Sequence, residues 1–268
     1  MTTVGYRRCM KALITSGCSV SSMQSPDVIK TWPHWLEQHT QPEHVVHSGL
    51  SSTGTDLISK KAIYHCTKAL EQYEAKDILL VCAYSTLFRT SCLLNHHDVL
   101  ARYLLQQRKE KHSLETWKYQ GCDYDNHIVV SEEENMHGNP GWFYFNHWKD
   151  NTLTDNYYMY YQTEYSMMEQ YLWNLNAVEN FCAVNNINYV WTTIDDTLEK
   201  HSEFLDHWSM KHLTDVLHSE NRITPSIGDS VRKHQPWMMM DQLHPSELAH
   251  QWYVQNVMLP HLEKKQYV

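Results

Sequence analysis

Apolar and polar positions follow two rhythms along this chain. Residues 11–17, KALITSG, form a short apolar run ending in small residues, which predicts a first buried strand opening into a turn. Residues 43–48 (EHVVHS), 77–84 (DILLVCAY) and 187–194 (INYVWTTI) predict three more strands. DILLVCAY is continuous enough to be buried on both faces of a parallel sheet. Residues 32–39 predict a short helix, with Pro33 in the first turn where a missing N–H costs little. Residues 55–73 predict another, with Leu57, Ile58, Ala62, Ile63, Cys66, Ala69 and Leu70 at helical spacing and Thr55 or Asp56 as the cap. Further helices are expected at about 97–107, 157–185 and 246–259, the last bent or ended by Pro260.

Two stretches, about 109–151 and about 195–237, lose both rhythms and are expected to be irregular insertions within a single domain spanning residues 1–268. Strands alternating with helices predict an α/β fold, a parallel sheet covered on both faces. Ligands of such sheets bind at the carboxyl ends of the strands. The segments after Gly17, Ser48, Tyr84 and Met240 are therefore expected to converge there.

A serine hydroxyl is a weak nucleophile that needs a base, a group to orient the base, and donors for the developing oxyanion. Ser19 lies just past the first strand in a turn containing Gly17, beside which backbone N–H groups can collect. Such a turn is also ordinary turn chemistry. Near the other end stands Asp241-Gln242-Leu243-His244-Pro245-Ser246. An Asp and a His three residues apart before a capped helix can place the carboxylate on one imidazole nitrogen and leave the other for a nucleophile. The competing reading is a helix cap with an incidental His. Cys18 is a rival nucleophile, since a thiolate near a helix N-terminus is activated.

Composition narrows the field. With 22 basic and 31 acidic residues the formal net charge is -9, which argues against a broad nucleic-acid footprint and against anionic membrane surfaces. No apolar run has the length of a membrane span, and the apolar stretch 12–14 after Arg7 and Arg8 is too short for a signal-peptide core. Seven cysteines with no C-x-x-C pair predict no disulfide framework and a protein folded in a reducing cytosol, which is compatible with later export or packaging into a particle. The 19 histidines include no H-E-x-x-H, and no phosphate-cradling glycine loop occurs, so neither a metal nor a cofactor is expected. Ten Trp and 17 Tyr stand against five Phe, a surplus suited both to amphipathic packing and to stacking on ligands. Trp142, Phe143, Tyr144 and Trp148 are placed to pack an insertion or to cover a cleft. The band from Tyr157 to Tyr165 suits a partner, an oligomer surface or a substrate.

Gly17-Cys18-Ser19, Gly54 in a Ser/Gly loop, Ala83-Tyr84-Ser85-Thr86 after a strand and the terminal D-x-x-H-P-S together resemble the SGNH/GDSL hydrolase superfamily from about residue 11 to residue 262. With Arg89 nearby, the pattern is similar to divergent members encoded by phages and other large DNA viruses. The resemblance implies a three-layer α/β/α flavodoxin-like fold elaborated by aromatic-rich insertions. It implies Ser19 as nucleophile, Asp241 and His244 as the dyad, and Gly54 as the oxyanion-hole glycine, or Gly49 if that register shifts. The implied activity is hydrolysis of esters on an acylated small molecule or polysaccharide, with acyl transfer as the variant reaction. Two departures stand out. Cys18 replaces the usual acid, and Ser85 stands where the family has an asparagine amide, alongside the backbone N–H of Ser19 and Gly54 in the implied oxyanion hole. A lost oxyanion donor costs about 3 kcal/mol of transition-state stabilisation. Tyr84, Arg89 and Trp142 are the candidate substrate rim. The rival reading is a noncatalytic binding or virion-structural protein that keeps the fold, for which oligomer or virion assembly is the expected partnership.

Overall fold

A computed structural model describes residues 10–22, 30–50, 53–87, 89–94, 128–129, 141–146, 160–234 and 244–268, with backbone alone at 90–94, 128–129, 141–146 and 234. The apolar runs become strands β1 (Ala12–Gly17), β2 (His44–His47) and β3 (Ile78–Tyr84). After them come β4 (Arg89–Leu94), β5 (Ile128–Val129), β6 (Gly141–Asn146) and β7 (Asn188–Thr193). β2, β1, β3 and β7 lie in that order in one parallel sheet. The order matches the opening of a flavodoxin-like sheet, whose crevice opens at the carboxyl ends of β1 and β3 where the winding reverses. Every residue of β1 and β3 is buried, whereas β2, at the edge, is half-buried throughout. That difference explains why DILLVCAY reads as continuous and EHVVHS does not.

Helix α1 (Trp32–Thr40) links β1 to β2, and α2 (Thr55–Leu70) links β2 to β3. The two crossovers run in opposite directions across the sheet, and right-handed connection places their helices on opposite faces. α2 packs on β1, β3 and the long α3 (Glu164–Asn185), and the Ser59 hydroxyl donates to the Asn174 carbonyl at 3.0 Å. The predicted apolar stripe of α2 is buried at Leu57, Ile58, Ala62, Cys66 and Ala69. Its cap is Gly54, in extended conformation with no side-chain cap bond, rather than Thr55 or Asp56. α3 starts later than its apolar pattern suggests, because Thr163 and Ser166 close a capping box.

The stretch from residue 195 onward differs from expectation. It holds short helices α4 (Thr197–Lys200), α5 (Ser202–Leu205), α6 (Trp208–Thr214) and α7 (Ile227–His234). Each turn contributes too few apolar side chains to show a period, yet Phe204, Met210, Leu213, Ile227 and Val231 all join the core. Asp229 ties the segment to the end of β7, accepting from the Asp196 N–H at 2.6 Å and lying 3.3 Å from the Lys200 ammonium. The aromatic stretch also contributes strands: β5 and β6 pair antiparallel, and β6 pairs antiparallel with β4, in a second small sheet. The helix expected at 97–107 lies outside the described residues.

The last helix passes through Pro260 instead of stopping there. α8 (Glu247–Tyr253) runs into a π turn at Val254–Met258 and then α9 (Leu259–Lys264), with Pro260 in its first turn. Proline lacks the N–H an α turn needs and crowds the carbonyl four residues back; a widened turn just before it relieves both. α1, α7 and the π turn pack with α8 or with one another, and among the described residues no helix is long and apolar enough to cross a membrane.

Candidate active site

Ser19 is placed by the abrupt end of β1. The Ser21 N–H donates to the Cys18 carbonyl at 2.8 Å and the Ser22 N–H to the Ser19 carbonyl at 3.2 Å, so the chain reverses within one turn. Ser21 anchors that turn: its Oγ accepts from the Trp32 indole N–H at 2.9 Å, and both side chains are buried. A Cβ on Gly17 would run into the Ser21 side chain, so glycine lets the turn fold back on the strand. The turn buries Cys18 completely and leaves Ser19 half-buried, which favours the hydroxyl over the thiol as the group a substrate can reach.

The loop after β2 braces the same turn. Its Leu50 N–H donates to the Gly17 carbonyl at 2.9 Å, and a Cβ on Gly49 would lie 2.6 Å from the Ser21 carbonyl oxygen and 2.8 Å from its carbon. Backbone atoms cannot rotate away as a side-chain end can. Gly49→Ala is therefore expected to destabilise the fold by about 1–3 kcal/mol through overpacking, read as a lowered urea midpoint at unchanged slope. An unchanged midpoint would show that the two loops are not in contact.

His244 arrives from the far end of the chain. Its Nε2 lies 3.2 Å from Ser19 Oγ across 225 residues of sequence. The segment carrying it is short and fixed: Pro245 is buried, Ser246 caps α8 by accepting from the Ala249 N–H at 3.3 Å, and Glu247 accepts from the Lys30 N–H at 3.4 Å. A separation of 3.2 Å is within reach for proton transfer to an imidazole base. Asp241 lies outside the described residues.

Gly17 pairs with Ala83 across β1 and β3, so Ser19 and Ser85 both stand two residues beyond the last paired positions, at the same end of neighbouring strands. The Ser85 hydroxyl is fully buried, with no hydrogen-bond partner among the described residues. Gly54, buried as well, opens α2 at the same end of the sheet. Tyr84 does not belong to a substrate rim. It is the final residue of β3, fully buried between Tyr171 and Trp191, with its hydroxyl 2.9 Å from that of Tyr189. Burial pushes its phenol well above the usual range, and strand alternation, which the sequence position alone does not orient, is what turns it inward. Arg89 begins β4 and lines a cleft with the start of α2 and the first turns of α3. Trp142 lies on β6, where only the backbone is described.

A second constellation has triad-like spacing. The Thr15 hydroxyl lies 2.9 Å from His47 Nδ1, and His47 Nε2 lies 2.8 Å from Glu37 Oε2. Thr15 is fully buried in the middle of β1, so no substrate reaches it, and the set is a structural tie between β1, β2 and α1. Two further histidines, not assigned to the site by sequence, lie close to it. Buried His250 on α8 has its pKa lowered to about 3, first by burial and then by the charges of His244 and His34. His34, on α1, is lowered by its own burial and by His47. Nothing local distinguishes these from the other histidines of the chain. Among the described residues no group of three or more His, Cys, Asp or Glu is arranged to hold a metal ion.

No family model matches the sequence, and no curated protein matches it. Among solved structures the chain is similar to one described as "Crystal Structure of TesA", at 12% identity and a TM-score of 0.46, over 95% of this chain and 99% of that one.

Proposed function

We propose that the chain is a serine hydrolase that cleaves esters through an acyl-Ser19 intermediate. The observation that carries this reading is the 3.2 Å approach of His244 Nε2 to Ser19 Oγ at the carboxyl end of the parallel sheet. Imidazole takes the hydroxyl proton as Ser19 Oγ attacks the ester carbonyl, and the carbonyl oxygen becomes the oxyanion. Collapse breaks the bond to the leaving alkoxide, which takes the proton from His244 and departs as an alcohol. Water then attacks the acyl-serine with His244 again as base, releasing a carboxylic acid and the free hydroxyl.

Asp241 is assigned the orientation of His244. The oxyanion is assigned to the backbone N–H groups of Ser19 and Gly54, with the Ser85 hydroxyl in place of an amide donor. A hydroxyl rotates where an amide is fixed, so the hole is less preorganised, and slow turnover on generic esters is expected. The favoured substrate is an acylated carbohydrate, which the aromatic composition suits.

Labelling with a fluorophosphonate tests the reading. Wild-type protein is expected to take up the probe at Ser19, and Ser19→Ala is expected to take up none. Folded wild type that stays unlabelled would favour a noncatalytic binding protein on the same fold.

A further inference from the structure

Three consecutive residues at the start of α1 reach both halves of the site. The Lys30 N–H donates to Glu247 Oε2 at 3.4 Å, just beyond His244 in the chain. The Thr31 hydroxyl donates to the Ser21 carbonyl at 3.4 Å, and the Trp32 indole N–H donates to Ser21 Oγ at 2.9 Å, just beyond Ser19. α1 also packs against α8, the helix that follows the His244 segment. Thr31 holds the N-cap position of α1, where a threonine side chain ordinarily accepts a hydrogen bond from its own helix. Here the hydroxyl makes no such bond and turns to Ser21 instead, so the helix forgoes a cap that its sequence offers.

The turn that carries Ser19 fixes its own shape but not its placement. Its internal bonds, from the Ser21 N–H to the Cys18 carbonyl and from the Ser22 N–H to the Ser19 carbonyl, join residues of the turn only to one another. The hydroxyl and carbonyl of Ser21 are bonded outward to residues 31 and 32, and Ser21, Thr31 and Trp32 are all buried. Gly17 and Gly49 approach Ser21 so closely that neither position admits a Cβ, which leaves the turn little room to shift on its own.

We propose that residues 30–32 position the nucleophile against the base, with the Trp32 indole as the positioning residue of greatest effect. The inference rests on the Ser19 reading. The bond from Trp32 ends on Ser21, so the indole acts through the turn on the 3.2 Å separation between Ser19 Oγ and His244 Nε2. Proton transfer needs the hydroxyl within hydrogen-bond reach of the imidazole. A misplacement of about 1 Å, caused by a change away from the chemistry, can cost about 100-fold in rate.

Two substitutions test the link from its two ends. Trp32→Phe keeps a ring in the core and removes the indole N–H; Ser21→Ala removes the acceptor. Each is expected to lower kcat for p-nitrophenyl acetate by about 10- to 100-fold with KM little changed, and to slow fluorophosphonate labelling of Ser19 in step. The double variant should lose little more than either single one, since the two residues share one bond. Val178→Ala, which opens the buried core on α3, is the control for lost stability: at an equal or lower melting temperature it should keep the wild-type kcat. The proposal is overturned if either folded variant keeps the wild-type kcat, if KM rises instead, if Val178→Ala loses as much activity at equal stability, or if neither variant folds, since the bond then holds the fold rather than the pair. Wild type that takes up no fluorophosphonate is a different failure, which removes the Ser19 reading and this inference with it. A labelled wild type with unaffected variants removes this inference alone.

Discussion

His244→Ala is expected to lower kcat for an activated aryl ester by about 10⁴-fold, the scale on which removal of a triad member acts, with KM little changed. As the proposed base, the imidazole is assigned the proton of Ser19 and no contact that holds substrate in the ground state, so its loss is expected to fall on the transition state. Ser19→Ala should lose about as much, and the double variant little more, because a nucleophile and its base act as one unit. Steady-state hydrolysis of p-nitrophenyl acetate, with circular dichroism to establish folding, measures all three. A folded His244→Ala protein within ten-fold of wild type would rule out its role as base, whatever the 3.2 Å approach suggests.

Stability is expected to fall steeply with acid because of a different histidine. His250 is wholly buried on α8, and its pKa is lowered from 6.5 to about 3. Above pH 6.5 the imidazole is neutral in folded and unfolded chains alike, and the site contributes no slope. Below pH 6.5 the unfolded chain gains a proton that the folded chain refuses, so stability is lost as pH falls toward 3, at about 1.4 kcal/mol per pH unit. Between pH 6.5 and pH 5 the loss from this one residue is about 2 kcal/mol, a large share of the stability of an ordinary domain. His250→Leu keeps the approximate volume, removes the titration and removes a buried Nδ1 that has no partner among the described residues. Urea unfolding at pH 7.5 and pH 5.0 should show the variant losing about 2 kcal/mol less than wild type on acidification. Equal acid losses would show that His250 is protonated in the folded state. Since α8 directly follows the segment that carries His244, acid unfolding of this helix would also release the proposed base.

The central strands and α2 were legible because each buries enough side chains in a row to leave a period. KALITSG and DILLVCAY show it as continuous runs, and Leu57 through Ala69 as a helical stripe. The short helices α4 to α7 were not legible, because four to eight residues hold at most two turns and their apolar side chains are chosen to fit a neighbour rather than a face. Pro260 does not end the helix for a related reason: its local cost is real, but a π turn of five residues absorbs it while Val254, Met258 and Leu262 stay buried.

The site divides in the same way. Ser19 and His244 stand out in the sequence because chemistry restricts which residue types can act as nucleophile and base, and because each sits where a strand ends or a helix begins; both are one-dimensional properties that the chain displays directly. Their approach to 3.2 Å, the burial of Cys18 beside a half-buried Ser19 and the inward turn of Tyr84 depend on which face of the sheet each backbone turn presents. A change of one residue in register reverses that face without altering composition or spacing. The sequence by itself therefore determined the fold class and the kinds of atoms available for chemistry. Only the tertiary structure decided which of those atoms meet, because meeting is set by side-chain direction and burial across strands far apart in the chain.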